Sequence, residues 1–171
     1  MTGPQPQDPS TSRPVPFVAA SLTPFLPESL GRWRRTRLGA PARDVRNRVV
    51  SMFVSTQAGY AHGTVDLEVS ITDMLEIGIN LAVDAPAPAT VTNEFGPSAT
   101  TRQGRWLITE TVDERGAKSA SVYLANGLAV MVQGDDLPTQ VQALLQLDLD
   151  GIASLRRPVQ GSSTFPSGPQ R

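Results

Sequence analysis

Three short runs of alternating hydrophobic and polar residues follow one another in the second half of the chain, separated by turn-forming residues. The runs are residues 105–112, 118–124 and 128–133, and the intervening turns are residues 113–116 and the pair Asn126-Gly127. Asn-Gly between two strand-like runs is typical of a two-residue type I′ turn, because both residue types tolerate positive φ. The pattern predicts a three-stranded antiparallel meander.

Residues 64–72 show the most regular alternation in the sequence. Four apolar side chains at odd positions alternate with four polar ones, and they are Val65, Leu67, Val69, Ile71 and Asp66, Glu68, Ser70, Thr72. A period of two is that of a strand with one buried and one wet face. The β-rich segment 48–57 precedes it as a candidate central strand, and the glycine-bounded segment 58–63 is predicted to be the turn between them.

The segment 31–38 also alternates, but it is rich in arginine. Trp33, Arg35 and Arg37 would lie on one side of this strand. The other side would carry Arg32, Arg34, Thr36 and Leu38. Charged side chains protect an edge strand from unwanted pairing, so the segment is predicted to be an edge strand. The preceding residues 22–30 contain two prolines, which favours an extended or single-turn segment.

Two segments have helical features. Residues 137–155 place apolar side chains at helical spacing behind Asp136, a plausible N-cap, with Pro138 in the first turn and Gly151 as a stop or kink. Residues 73–83 fit a strand by period two and a helix by period 3.6 behind Thr72 or Asp73. Gly78 would cost a helix about 1 kcal/mol, so periodicity favours a strand there. The connector at 84–89 is rich in proline and stiff.

These elements predict an α+β fold. It would contain an antiparallel, largely meander sheet of about five to seven strands with the C-terminal helix on one apolar face. Residues 17–157 form the single domain, while the proline-rich segments 1–16 and 158–171 have the composition of disordered tails.

The composition narrows the classes of function. The chain has no cysteine, which excludes disulfides, thiolate metal sites and a cysteine nucleophile. A net charge of −1 disfavours a globally electrostatic nucleic-acid binder. No run reaches the roughly 20 apolar residues of a membrane span. The sequence as written has no secretory signal, which predicts a cytoplasmic location, or a periplasmic one if Met1 replaces a removed signal.

Residues for catalysis are sparse. His62 is the single histidine, and Asp66 and Glu68 share the wet face of the predicted strand 64–72, where they could hold a cation or act as an acid and base. A loop histidine and a solvated strand face explain the same residues more simply. Phosphate-binding glycine motifs are absent from the sequence. We therefore predict a protein that is not an enzyme and has neither a cofactor nor a bound metal.

The best candidate binding surface is the arginine-rich stretch. Half of the fourteen arginines lie between residues 32 and 48. Trp33 is expected to be an exposed anchor, whereas Trp106 is expected in the core. The candidate partner-binding residues are Trp33, Arg32, Arg34, Arg35, Arg37, Arg43 and Arg46.

These residues favour a protein-interaction module, which would be an adaptor, a chaperone-like protein or a structural component of a larger bacterial assembly. Its partner would be another protein with an acidic surface, recognised in part by β-augmentation. The alternatives are a small carrier that holds an apolar ligand between sheet and helix, and a weak nucleic-acid binder through residues 32–48.

A sequence pattern across residues 26–155 supports the same architecture. It consists of Leu26-Pro27, Ser29-Leu30-Gly31, the run Ser70-Ile71-Thr72-Asp73, and Gly104-Arg105 before a strand. In this pattern the chain resembles a group of small bacterial proteins of uncharacterised function. The resemblance implies a helix over residues 74–83 and export from the cytoplasm, and it brings no activity with it.

Overall fold

The computed structural model describes residues 17–39, 54–74, 90–93 and 96–156. Several sequence predictions lie outside these ranges. They are the two tails, the helix or strand over residues 75–83, the connector 84–89, and the candidate binding residues Arg43 and Arg46.

Nine strands and three short α-helices form in the described part of the chain. The strands are β1 (Ser29–Leu30), β2 (Trp33–Leu38), β3 (Val54–His62), β4 (Val65–Asp73), β5 (Thr90–Asn93), β6 (Gly96–Gln103), β7 (Trp106–Val112), β8 (Lys118–Tyr123) and β9 (Leu128–Gly134). The helices are α1 (Ala19–Leu22), α2 (Leu137–Leu145) and α3 (Leu149–Ser154), and a 3₁₀ turn covers Thr23–Phe25.

All nine strands belong to one antiparallel sheet in the order β1-β2-β3-β4-β9-β8-β7-β6-β5. The sheet therefore consists of two meanders, β1 to β4 and β5 to β9, joined where β9 pairs with β4. The predicted α+β class and the largely meander topology are confirmed. The predicted number of strands was too low, because β1 and β5 have two and four residues and are too short to show a periodic pattern.

The meander of β7, β8 and β9 and the predicted turn at residues 113–116 are confirmed, but the turn between β8 and β9 differs from the prediction. The Gly127 N–H donates to the carbonyl of Leu124 at 2.9 Å, and the Leu124 N–H donates to that of Leu128 at 2.8 Å. The loop thus contains three residues, and Gly127 has a φ of 86°. This is the hydrogen-bond pattern of a three-residue hairpin loop with a left-handed glycine, so the predicted two-residue type I′ turn was wrong.

Residues 58–62, predicted to be a turn, are part of β3. His62 pairs with Val65, which leaves Gly63 and Thr64 as the two-residue turn. Gly59 lies inside this strand, where two side chains of β2 cover it and leave little room for a side chain. A Cβ at this position would lie 3.2 Å from Arg37 Nη2 and 3.3 Å from Thr36 Oγ1. A glycine within a strand here marks a close approach by a neighbour.

The hydrophobic core lies on one face of the sheet. The predicted alternation of β4 is confirmed, since Leu67, Val69 and Ile71 are buried while Glu68 and Ser70 are half-buried. Ile71 is directly opposite Val130, and that residue is opposite Val122 on the next strand. Each such fully buried side chain contributes roughly 1.5–3 kcal/mol. Leu144 of α2 and Ile152 of α3 cover this face and are completely buried.

The predicted C-terminal helix is divided into α2 and α3. Asp136 caps α2 as predicted, since its Oδ2 accepts from the Thr139 N–H at 3.0 Å. Asp148 caps α3 by accepting from the Gly151 N–H at 2.8 Å. The short aspartate side chain favours a new N-cap over continuation of the first helix. Gly151 therefore lies within α3, and the prediction that it stops or kinks the helix was wrong.

An N-terminal strap, residues 17–30, packs beside the sheet. Leu22, Leu26 and Leu30 are buried in the core. The hydrogen bonds that hold the strap to the sheet include one from the Phe17 N–H to Asp73 Oδ2 at 3.0 Å and one from the Tyr60 hydroxyl to the Pro27 carbonyl at 2.7 Å. Its short 3₁₀ turn confirms the predicted single-turn segment. Asp73, a candidate helix cap by sequence, is buried at the end of β4, and the helix that it would cap lies outside the described residues.

Candidate functional site

The arginine-rich strand lies next to the edge of the sheet, in the hairpin formed by β1 and β2. Leu30 pairs with Trp33, so Gly31 and Arg32 form the tight turn between the strands. Gly31 has a φ of 58°, which favours glycine. This turn approaches the C-terminal end of α2, where a Cβ on Gly31 would lie 3.8 Å from the Gln146 side chain.

Trp33 is not the exposed anchor that the sequence predicted. Its side chain is 3% exposed and belongs to the hydrophobic core, because strand alternation places it on the same face as its partner Leu30. The Arg32 guanidinium stacks over its ring at 4.9 Å from the ring centroid. Trp106, expected in the core, is only partly buried and carries Arg105 at 4.4 Å. The prediction for Trp33 was therefore wrong, whereas Trp106 packs against the core as expected but is not fully buried.

Arg35 is half-buried and bonded within the protein. Its Nη1 donates to the carbonyl of Leu26 in the N-terminal strap. It also lies directly opposite Tyr60 on β3. Burial raises the pKa of Tyr60 to about 12, an effect that the positive charge of Arg35 partly opposes. Arg35 therefore holds the strap to the sheet.

Arg37 is also engaged, but on the opposite face. A β-bulge between Arg35 and Arg37 brings Arg37 opposite Gly59, while Arg35 is opposite Tyr60. Successive residues of β3 point to opposite faces, so Arg37 lies on the other face from Arg35. The predicted shared side for these two arginines was therefore wrong. Arg37 forms an ion pair with Glu68 and also donates to the carbonyl of Gly39.

Arg32 and Arg34 are the exposed cations of this hairpin. Neither forms an ion pair with any carboxylate in the described ranges. Both line a surface depression of about 680 Å³, which we call the edge groove; it is formed by Glu28, Ser29, Gly31, Arg32, Arg34 and Arg35. Three arginines and one glutamate give this groove a positive charge.

A second depression adjoins the edge groove at Gly31 and Arg32. We call it the helix notch; it has about 450 Å³ and is lined by Gly31, Arg32, Trp33, Gln142, Leu145 and Gln146. Leu145 is 40% exposed here, at the last residue of α2. The buried Trp33 Nε1 has no hydrogen-bond partner among the described residues. The two depressions together present cations beside an apolar surface.

The helix-derived residues of the notch were missed by sequence reasoning. Leu145 matches the apolar spacing of the predicted helix, which assigned it to the core together with Leu144. The helix ends at this residue, so its side chain lies at the margin of the interface instead of inside it. The only signal available was the capping aspartate at position 148, which predicts a helix boundary nearby.

Of the candidate catalytic residues, Asp66 and Glu68 line one surface depression of about 360 Å³, and His62 is not part of its lining. His62 and Asp66 are exposed near the β3–β4 turn. Glu68 is paired with Arg37. Within the described ranges, no group of three histidine, aspartate or glutamate side chains could hold a metal ion. No helix in those ranges is long and apolar enough to cross a membrane.

Comparison with known proteins adds no relative: no family model matches the chain, and no curated protein or solved structure matches it either. The resemblance to small bacterial proteins therefore stays a prediction, and function is argued from the geometry of the hairpin and α2.

Proposed function

We propose that this protein is a non-enzymatic interaction module that binds a partner protein through the edge groove and the helix notch. The observation that carries this proposal is that the exposed Arg32 and Arg34 line the edge groove and that Arg32 also lines the helix notch together with the exposed side chain of Leu145. Unpaired cations next to an apolar depression are the features of a binding surface with charge complementarity. Of the predicted binding residues, this surface retains Arg32, Trp33, Arg34 and Arg35, and it adds Leu145.

The side chains that line the two depressions indicate which partner segment would fit them. An acidic side chain suits Arg32 and Arg34, since guanidinium groups bind carboxylates in bidentate geometry. An apolar side chain of the same segment suits the notch against Leu145. The two-residue strand β1 is the last strand of the sheet on this side among the described residues. An extended acidic segment can therefore add to that edge by main-chain hydrogen bonds.

Trp33 forms part of the floor of the notch. Its indole Nε1 is a buried donor without a hydrogen-bond partner in the described part of the chain. Such a group carries a desolvation cost of about 1–3 kcal/mol. If Arg32 moves from the ring to pair with an acidic side chain, a carbonyl of the bound segment can accept this hydrogen bond. The fluorescence of Trp33 would then report binding.

The packing of α2 against the sheet favours this function over that of a carrier for an apolar ligand. Val132, Ala143 and Leu144 are completely buried where α2 meets the sheet. The edge groove and the helix notch open instead at the sheet margin. A partner segment thus has a surface to occupy, whereas a ligand enclosed between α2 and the sheet would have to displace these core side chains.

Charge reversal tests the proposal. Full-length protein is immobilised, and partners are captured from a lysate of its own cells at low and high salt. Wild type is compared with the double variant Arg32→Glu, Arg34→Glu and with the matched control Arg102→Glu, Arg115→Glu. Both control arginines are exposed and lie away from the hairpin. The net charge changes equally in the two variants.

We expect a stoichiometric partner that wild type and the control retain and the hairpin variant loses. Its recovery should fall with salt, because exposed charges are screened. Equal capture by all three proteins, or no capture at low salt, would contradict the assignment. A circular dichroism spectrum unchanged by the substitutions shows that folding is not the cause.

A further inference from the structure

The turn between β8 and β9 contains a reactive dipeptide. The chain has four asparagines, and Asn126 alone precedes a glycine. At such a pair the main-chain nitrogen of the glycine can attack the side-chain carbonyl carbon of the asparagine. The amide nitrogen leaves as ammonia and a succinimide ring forms. Water then opens the ring to aspartate or isoaspartate. Glycine presents the least hindered nitrogen because it has no Cβ.

The fold occupies every polar atom that takes part in this reaction. Asn126 Nδ2 donates to the carbonyls of Ile152 at 2.7 Å and Leu155 at 3.2 Å. Its Oδ1 accepts from the Leu128 N–H at 3.2 Å. The Gly127 N–H, which must lose its proton to attack, donates to the carbonyl of Leu124 at 2.9 Å. The side-chain amide is thus fixed at both ends.

Two of these bonds tie the turn to the C-terminal end of α3. Ile152 is completely buried and Leu155 packs at the margin of the core. The side chain of Asn126 accordingly stays in place as long as this end of α3 is docked. When α3 opens, Asn126 Nδ2 loses these two acceptors, which removes one restraint on ring closure. Such local openings occur in native proteins without global unfolding.

We propose that Asn126 is a modification site for deamidation that is gated by the docking of α3. In the docked protein the Asn126-Gly127 pair is protected. When α3 is open, the pair has lost the two bonds from Nδ2 and reacts faster, although the bonds of Oδ1 and of the Gly127 N–H within the hairpin remain. The rate in the native protein therefore rises with the fraction of molecules in which α3 is open.

The product cannot restore the original contacts. A carboxylate has no N–H to donate, and it would lie within hydrogen-bond distance of the two carbonyl oxygens of Ile152 and Leu155. Negative charge is also unfavourable beside carbonyls at a helix C-terminus. Isoaspartate adds a carbon to the main chain within a three-residue loop. Deamidation thus weakens the docking of α3 and favours its opening.

The test follows deamidation in the purified full-length protein. Samples are incubated at mildly alkaline pH, either native or in urea, and peptide mass and isoaspartate content at Asn126 are measured over time. The asparagines at positions 47, 80 and 93 precede bulkier residues and serve as internal controls. We expect Asn126 in the native protein to react at least about tenfold more slowly than in urea.

Two variants separate the gate from general stability. Ile152→Ala removes the core anchor of α3, and Leu22→Ala removes an equally buried side chain in α1. We expect Ile152→Ala to accelerate native deamidation several-fold more than Leu22→Ala. Equal native and unfolded rates, or equal acceleration by the two variants, would overturn the proposal. If either variant does not fold, hydrogen exchange of the main-chain amides of Ile152 and Leu155 is measured in wild type before and after deamidation. Unchanged protection of these amides would overturn the proposal.

Discussion

Arg37 and Glu68 form an ion pair that crosses the strand between them, passing over Gly59. Replacing Arg37 by alanine removes this pair and the bond to Gly39, so we expect a loss of about 1 kcal/mol in the free energy of unfolding. Urea denaturation measures the loss. Arg34→Ala, which removes an exposed arginine of the same strand, is the control and should change stability little. Equal losses in the two variants would contradict the distinct roles of these arginines.

Trp33 provides a second prediction about stability. Because its side chain is 3% exposed and lies in the core, Trp33→Ala should lower the free energy of unfolding by roughly 3–5 kcal/mol. Trp33→Phe should cost clearly less, since an aromatic side chain of the same type refills most of the space. An alanine variant as stable as wild type would show that Trp33 is exposed, as its charged neighbours had suggested.

The sequence predicted those parts of the fold that depend on local chemistry. Alternation identified β4, β7, β8 and β9, and Asp136 identified the start of α2. The burial of Trp33 could not be predicted in this way. The alternation of its strand separates two faces but does not say which face the rest of the chain covers, because that depends on residues distant in sequence.

The residues of the candidate site could likewise be predicted only in part, because some of them depend on packing between distant segments. Arg32 and Arg34 were predicted from composition, whereas Leu145 belongs to the surface only because α2 ends beside the β1–β2 turn. The Arg35–Arg37 bulge likewise has no glycine or proline to signal it, and it sends two similar arginines to opposite faces. Tertiary packing decides both features.

The buried phenol of Tyr60 predicts sensitivity to alkali. Its pKa is raised from 10.0 to about 12 in the folded protein. The unfolded chain therefore releases this proton first, and stability that is fully present below pH 10 is lost as the pH rises toward 12. The loss should amount to roughly 2–3 kcal/mol. Denaturant titrations across this range measure it.

Tyr60→Phe isolates this effect. The variant lacks both the ionising group and the hydrogen bond to Pro27, so it should be less stable at neutral pH and should lose less stability in alkali. Tyr123→Phe, at an exposed tyrosine, is the control. An alkaline loss in Tyr60→Phe equal to that of wild type would assign the loss to other groups.

The cap of α2 predicts sensitivity to acid. The side-chain and main-chain hydrogen bonds from Thr139 lower the pKa of Asp136 below 3.8. Because the pKa of Asp136 is lower in the folded protein, the cap stabilises the fold at pH values above the pKa of the unfolded chain. This contribution is lost as the pH falls through the pKa of the folded protein. Asp136→Ala should lower the melting temperature at neutral pH and reduce its dependence on pH in acid. An unchanged melting temperature at neutral pH would argue against the cap.

The central claim is that a partner occupies the helix notch beside Arg32 and Arg34. A photoreactive benzophenone side chain is placed at position 145 in the notch, and a control protein carries it at position 123, which is exposed and outside the notch. Each full-length protein is irradiated in a lysate of its own cells. We expect one discrete cross-linked partner from position 145, absent from position 123 and lost when Arg32 and Arg34 are both replaced by glutamate. The same product from both positions, its persistence after charge reversal, or no product from position 145 would contradict the claim.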